Sequence, residues 1–423
     1  MKPYSLLWAW AAAGVLGASW IAPGAVWTDS DGNKIDAHGG GVVKRGDTFY
    51  WVGHAASNQT PMLYSSTDLI NWKNLGKQAS SVTGMWRPKI AKPNVGRSQL
   101  YGQQDRYVLS LKSANFIGGY SQSAKVHIPP NDYSYSDTGM FYDESSVQVN
   151  RINSDGSLGD RVSQLTGGAY EAPGIVKADG VYFLIVSGKT GWRANPNKVF
   201  WSTSINGPWS GGSDIAPQDQ KTYGSQNTFE LTVKGSQKTT YIYMGDAWDS
   251  KGGASSNYVW APLNINSGAH TATIDYHLMW KVDVNTGVVS YPSTQKRYEA
   301  EHAVLSGRTV VKDCSDCVSK RSVHGVGSES EVTFHNVTGT GDRQWLSFHY
   351  RVNNPEAGEA HIFVNDEPAV NISSLNSRAG YHTSTPVQLT LKRGDVNTIT
   401  FGATGSDGFE VAVDGIELFE EDE

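Results

Sequence analysis

The chain of 423 residues has only two cysteines, so no disulfide framework can hold it and a large apolar core must. Charged residues are sparse at 18%, and the formal net charge is −6. That balance excludes the basic face an electrostatic nucleic-acid binder needs. Beyond the N-terminus there is no apolar run long enough to span a bilayer, which excludes a multi-span membrane protein. Extended amphipathic helical periodicity is missing too, and with it a helical fold. What is plentiful is glycine, with 46 residues, and aromatic side chains, at 11%. Many turns and many rings point to an all-β protein whose ligand can be stacked upon.

Met1-Lys2 is followed by the apolar stretch Ser5 to Ser19, which ends in small residues. Residues 1–18 read as a secretory signal peptide, the run being shorter than the roughly 20 residues of a spanning helix. The expected localisation is therefore extracellular, with no membrane partner. Secretion permits disulfides. Cys314 and Cys317, in Cys-Ser-Asp-Cys, are too few for a zinc site and are expected to form a small loop disulfide.

Short apolar runs recur behind turn residues: Thr48 to Val52, Tyr107 to Leu111, Val181 to Val186 and Tyr241 to Met244. A second element repeats as Leu63 to Trp72 and Val199 to Trp209, and a third as Arg87-Pro88-Lys89-Ile90 and Ala172-Pro173-Gly174-Ile175. Repeats of a few strands at this spacing predict a β-propeller over residues 19–291. The aromatic second strand is missing between Asp137 and Glu171, so one blade is expected to be short. Residues 292–297 read as a linker, 298–419 as a β-sandwich, and 420–423 as a solvated acidic tail.

A secreted, ring-rich propeller with a sandwich suggests work on polysaccharide. Glycoside hydrolysis needs an acid to protonate the leaving oxygen, and inversion also needs a group that activates water on the opposite face. Glu171, in Tyr170-Glu171-Ala172-Pro173-Gly174, is the leading acid: small neighbours let backbone approach the pocket, and Ile175 and Val176 favour the protonated form. Asp137 could tune it. Gln226, in Ser225-Gln226-Asn227, can hold a water but is a poor base in its ordinary amide form. Residue type alone leaves open a surface glutamate, a turn-capping aspartate and a structural amide at these three positions. Asp36 shares a strand face with His38, which either touches substrate or packs.

These motifs resemble glycoside hydrolase family 43, most closely its fungal exo-β-1,3-galactanases. The likeness rests on Val26-Trp27-Thr28-Asp29, Ala37-His38-Gly39, Arg87-Pro88-Lys89, Glu171 to Val176, Gly191-Trp192, Gly207-Pro208-Trp209, Ser225-Gln226-Asn227 and Tyr243-Met244-Gly245-Asp246, in that order. It implies a five-bladed propeller that removes galactose from the non-reducing end of β-1,3-galactan with inversion. Glu171 falls on the catalytic acid, Asp137 on the aspartate that tunes it, and Gln226 on a glutamine thought to replace the carboxylate base. Trp192 falls on an aromatic of the galactose pocket, and Asp36 lies near the point in the first blade where other members of the family place their base aspartate, so it could serve as a substitute base. No catalytic cofactor is implied, and a monomer is expected. The C-terminal part resembles a family 35 carbohydrate-binding module, in which Glu299, Glu301 and Asp414 match calcium ligands. Oxygen-only ligands suit that ion.

The chain also departs from the pattern. Trp86 and His54 stand where the branch has glutamates, Phe116 where it has a pocket tyrosine, and Ala412 where the module has a sugar-contacting aspartate. Each buried sugar hydroxyl left without a partner costs about 1–3 kcal/mol. Two other readings therefore stand beside the galactanase: a propeller that binds carbohydrate with impaired turnover, and a family 43 glycosidase acting on arabinan or xylan. The short blade is either a real shortening or a faulty gene model.

Overall fold

The computed structural model describes residues 20–91, 98–105, 107–127, 140–142, 146–248, 256–327, 329–352, 359–373, 382–402 and 410–419. The expected signal peptide, Asp137 and the acidic tail lie outside the described residues. Strands dominate what is described, as the composition predicts, and no helix there is long and apolar enough to cross a membrane.

Five antiparallel sheets follow one another along the chain, each meandering outward from its first or last strand. The first holds β1 (His38–Arg45), β2 (Thr48–His54), β3 (Pro61–Ser66) and β4 (Lys73–Lys77). The second holds β5 (Trp86–Ala91), β6 (Ser98–Gln104), β7 (Tyr107–Ser113) and β8 (Ser121–His127). The third has three strands among the described residues, β9 (Met140–Tyr142), β10 (Ser146–Ile152) and β11 (Leu158–Thr166), where the others have four. The fourth comprises β12 (Tyr170–Ala178), β13 (Val181–Gly188), β14 (Lys198–Ser202) and β15 (Ser210–Asp214). The fifth comprises β16 (Gln226–Lys234), β17 (Thr239–Ala247), β18 (Asn257–Asn266) and β19 (Thr271–Ile274). A two-stranded ribbon, β20 (Lys281–Val282) with β21 (Val289–Ser290), follows.

The first strands meet one another: β1 touches β5 and β16, and β12 touches β16 and β9. Their side chains explain why. Trp51, Trp72, Trp260 and Trp280 are fully buried in one core that draws on the first and fifth sheets. Ile21 and Trp280 exchange backbone hydrogen bonds at 2.8 and 3.0 Å, which ties the start of this region to its end.

The remaining strands are β22 (Thr294–Glu299), β23 (Val304–Leu305), β24 (Val310–Asp313), β25 (Arg321–Gly327), β26 (Val332–Gly339), β27 (Arg343–Val352), β28 (Glu359–Val364), β29 (Glu367–Ser373), β30 (His382–Thr390), β31 (Gly394–Gly402) and β32 (Glu410–Phe419). They form a six-stranded and a five-stranded antiparallel sheet. Alternate residues of both sheets, among them Val323, Phe348, Ile416, Phe334, Ile362 and Phe401, bury one shared apolar core. Strand β22 begins at Thr294 and pairs with β32, so most of the segment expected as a linker is sheet. Trp20, Ala22, Ala25 and Met279 pack with Trp345 and Phe419, joining the two regions. Cys314 and Cys317 are disulfide-bonded beside β24.

Candidate active site

Four of the first strands open in the same way. His38 pairs with His54, Trp86 with Gln103, Glu171 with Ser187 and Gln226 with Asp246, and each pairing is followed within two residues by a register shift. The residue after His38, Trp86 and Glu171 has a left-handed backbone: Gly39 at φ 61°, Arg87 at 51° and Ala172 at 52°. Such a bulge re-aims the preceding side chain and ends the ladder. The sequence marks these places with Gly, Arg-Pro and Ala-Pro.

Glu171 and Gln226 meet. Gln226 Nε2 donates to Glu171 Oε1 at 2.6 Å and to Ser187 Oγ at 3.2 Å. Gln226 Oε1 accepts from Trp248 Nε1 at 2.9 Å and from a terminal nitrogen of Arg87. Arg87 reaches there because its left-handed backbone turns it across the bulge; its other terminal nitrogen lies 3.4 Å from the Asn227 carbonyl.

Three tryptophans stand around this pair. Trp192 is 40% exposed, 6.0 Å from Trp86 and 5.4 Å from Trp248 between ring centroids. Trp248 is buried between His38 and His54, with centroids at 5.5 and 5.9 Å. His54 also packs edge-on against Trp86 at 4.8 Å, and its Nδ1 accepts the Arg87 backbone N–H at 3.3 Å. Burial, then repulsion from His38, pushes the His54 imidazole well below its ordinary 6.5, although Asp246 opposes this. His54 is neutral at ordinary pH.

Beneath them, His38 Nδ1 lies 3.1 Å from Asp246 Oδ1 and its Nε2 lies 3.7 Å from Asp36 Oδ1. Asp36 accepts the Ala56 N–H at 2.7 Å. Burial alone would raise the Asp246 carboxyl, but His38, Thr228 and the Gly39 N–H hold it below its ordinary 3.8. His38 is 1% exposed, which makes it a packed and hydrogen-bonded residue.

Phe116 does not join this group. It packs edge-on against Tyr50 at 4.8 Å and under the Arg45 guanidinium at 4.1 Å. The pairing explains its place: β7 ends at Ser113 beside Ser98, the end of the second sheet opposite Trp86 and Gln103. Arg87, Trp248, Ser187 and Asp246 were not singled out from the sequence. Arg87 and Asp246 lie inside motifs that carry the resemblance, whereas Trp248 and Ser187 have no signal except their distance from strand ends.

In the C-terminal region Arg297 bridges two of the expected calcium ligands. Its Nε donates to Glu299 Oε1 at 2.9 Å and a terminal nitrogen to Asp414 Oδ2 at 2.6 Å. Glu299 Oε2, Glu301 Oε2 and Asp414 Oδ1 are buried with no hydrogen-bond partner. Among the described residues no three acidic, histidine or cysteine side chains are drawn together closely enough to hold a metal. Oxygen-only donors are the type a hard cation takes, and a buried carboxylate oxygen without a partner is costly.

No protein-family model matches the chain, and no curated protein does. Solved structures do. The exo-β-1,3-galactanase of Phanerochaete chrysosporium, solved with β-1,3-galactotriose, is 31% identical over 94% of this chain and 99% of its own, with a TM-score of 0.82. A family 43 β-1,3-galactosidase solved with galactodeoxynojirimycin is 25% identical over 62% of this chain and all of its own, with a TM-score of 0.53. An exo-β-1,3-galactanase of Clostridium thermocellum shares the fold, at 22% identity over 94% and 99% of the two chains and a TM-score of 0.58. Full-length agreement at this identity, with Glu171, Gln226 and Trp192 gathered at one place, establishes that the chain belongs to glycoside hydrolase family 43.

Proposed function

We propose that the protein is a secreted exo-β-1,3-galactanase that releases galactose from the non-reducing end of β-1,3-galactan with inversion. In this reading the five N-terminal sheets are the blades of a propeller, one of them shortened, and the two C-terminal sheets are a carbohydrate-binding β-sandwich. The observation that carries the proposal is the Glu171–Gln226 contact at the opening ends of two first strands, with Trp192, Trp86 and Trp248 around it. A carboxyl there can protonate a glycosidic oxygen, and indole faces can stack on the C–H face of galactose. The galactotriose-bound neighbour, alike over its whole length, supports β-1,3-galactan as the substrate.

Glu171 is the general acid in this mechanism. Its proton passes to the bridging oxygen as the C1–O bond breaks, while water attacks C1 from the opposite face and gives its proton to the base position, which the family resemblance assigns to Gln226. Asp137 is assigned to tune that acid. Calcium is assigned a structural role in the C-terminal module, held by Glu299, Glu301 and Asp414, where it would neutralise buried carboxylates. A second reading, sugar binding without turnover, is favoured by Trp86, because an indole stands at a strand opening equivalent to those of Glu171 and Gln226.

The test is a product assay on linear β-1,3-galactan, with Glu171→Gln alongside. Proton NMR should show α-galactose as the first anomer and no release by the variant, which should still bind galactotriose. Binding of galactotriose by folded wild-type protein without any galactose release would sink the galactanase reading and leave the binding one.

A further inference from the structure

We infer that Asn336 carries an N-linked glycan, and that this glycan covers an open edge of the five-stranded sheet in the C-terminal region. This rests on the secretion reading above, since such glycans are added to chains entering a secretory lumen.

The sequence holds three Asn-X-Ser/Thr triplets, starting at Asn58, Asn336 and Asn371. Such a triplet is the acceptor for an N-linked glycan, and the fold must leave the sugar in solvent. Asn58 is half-buried, and its Oδ1 accepts the Thr60 N–H at 3.1 Å in a tight turn. Asn371 lies within β29, paired with His361. Asn336 is exposed, and its strand shows why.

In β26, Phe334 and Val337 both belong to the core, at 2% and 0% exposure. Strand side chains alternate between faces, so two core positions three residues apart cannot sit on one regular strand. The ladder to β31 breaks between them. Phe334 pairs with Ile399 and Val337 with Asn397, which leaves His335 and Asn336 opposite Thr398 alone. That is a β-bulge. Asn336 takes the left-handed conformation there, at φ 55°, which asparagine adopts more readily than most residues. Both bulged residues are exposed, so the amide is presented to solvent.

The bulge also marks where the sheet loses a neighbour. Strand β23 flanks β26 only at Val332 and Thr333. Beyond Thr333 that side of β26 has no strand partner among the described residues. Tyr298 of β22 stands in for one: its hydroxyl donates to the Asn336 carbonyl at 3.4 Å and accepts the Thr338 N–H at 2.9 Å. An open edge is a template for pairing with another chain. A glycan rooted at Asn336 hinders that approach. In the coupling step Nδ2 of Asn336 attacks C1 of the first sugar of a lipid-linked oligosaccharide pyrophosphate. The N–C1 bond forms, the C1–O bond to the lipid pyrophosphate breaks, and the amide gives up one proton to the transferase.

The experiment secretes the full chain from a eukaryotic host, once as it stands and once behind a host signal peptide. Asn336→Gly is made alongside, because glycine takes the left-handed conformation freely and offers no side-chain amide. Peptide N-glycosidase in heavy-oxygen water turns a glycosylated asparagine into a labelled aspartate, which peptide mass spectrometry locates. The label is expected at position 336, and Asn336→Gly should lose the mass of one glycan while unfolding close to the wild-type midpoint. Folded, secreted protein without label at Asn336 overturns the site. If only the form behind the host signal is secreted, and it is labelled at Asn336, the secretion reading falls and the site stands. Light scattering of the concentrated proteins reads the shielding. The variant should form larger species than wild type, and equal scattering overturns the shielding role.

Discussion

His38 Nδ1 and Asp246 Oδ1 lie 3.1 Å apart beneath the candidate site, and the same carboxylate also accepts the Gly39 N–H at 2.8 Å and the Thr228 hydroxyl at 2.7 Å. One side chain of β17 thus ties the opening of β1 to the opening of β16. Asp246→Ala would strand three buried polar groups. At about 1–3 kcal/mol for each buried group left unsatisfied, a loss of at least about 3 kcal/mol is expected. Urea unfolding of the full chain measures it, and a midpoint unchanged from wild type would refute the linchpin role.

His54 and Asp246 set an acid limit on stability. His54 has its imidazole depressed well below 6.5 on folding, so the unfolded chain takes up a proton below pH 6.5 that the folded chain refuses. Asp246 is depressed from 3.8, so its stabilisation is present above that value and is lost as pH falls through its lower folded value. Both act in one direction: stability declines on acidification, first below pH 6.5 and again below 3.8. His54→Asn, whose amide oxygen can still accept the Arg87 N–H, should flatten the first decline and leave the second. Unfolding midpoints taken from pH 8 downwards give the comparison.

Trp192 tests whether the aromatic ring is a sugar platform. It is 40% exposed, with ring contacts to Trp86 and Trp248, so its removal should barely move stability. Trp192→Ala should weaken galactotriose binding about tenfold, the size of one aromatic contact. Calorimetry on the folded variant reads this directly, and an unchanged affinity would place the sugar elsewhere.

The sequence made the all-β class and the repeats legible because Gly-Asp turns and aromatic runs are local signals. Glu171 and Gln226 were legible for the same reason, each embedded in a short distinctive motif at a strand opening. Phe116 was not, because which end of a sheet a loop occupies depends on strand direction, and residue type carries no trace of it. The contacts that Arg87 and Trp248 make with Gln226 were not legible because they act across sheets: the first through a left-handed backbone, the second from the end of β17. A polar strand, Thr-Gln-Lys-Arg at 294–297, reads as a linker until its partner β32 is known.

Arg297 gives the calcium assignment its sharpest test. Arg297 pairs with Glu299 and Asp414 and also lies 3.9 Å from Glu417, so several carboxylates share one guanidinium and a negative balance remains that a bound cation would offset. Calcium at about 100 times its dissociation constant should stabilise the full chain by about 2.7 kcal/mol. Arg297→Ala removes the internal cation, so without calcium the variant should melt below wild type, both from carboxylate repulsion and from the newly stranded Glu299 Oε1 and Asp414 Oδ2. With calcium the gap should narrow, because the ion then supplies the missing charge. Thermal melts of both proteins in calcium and in chelator give four values. A calcium shift larger in the variant supports a shared site, whereas no shift in either protein would mean that Arg297 alone balances these carboxylates.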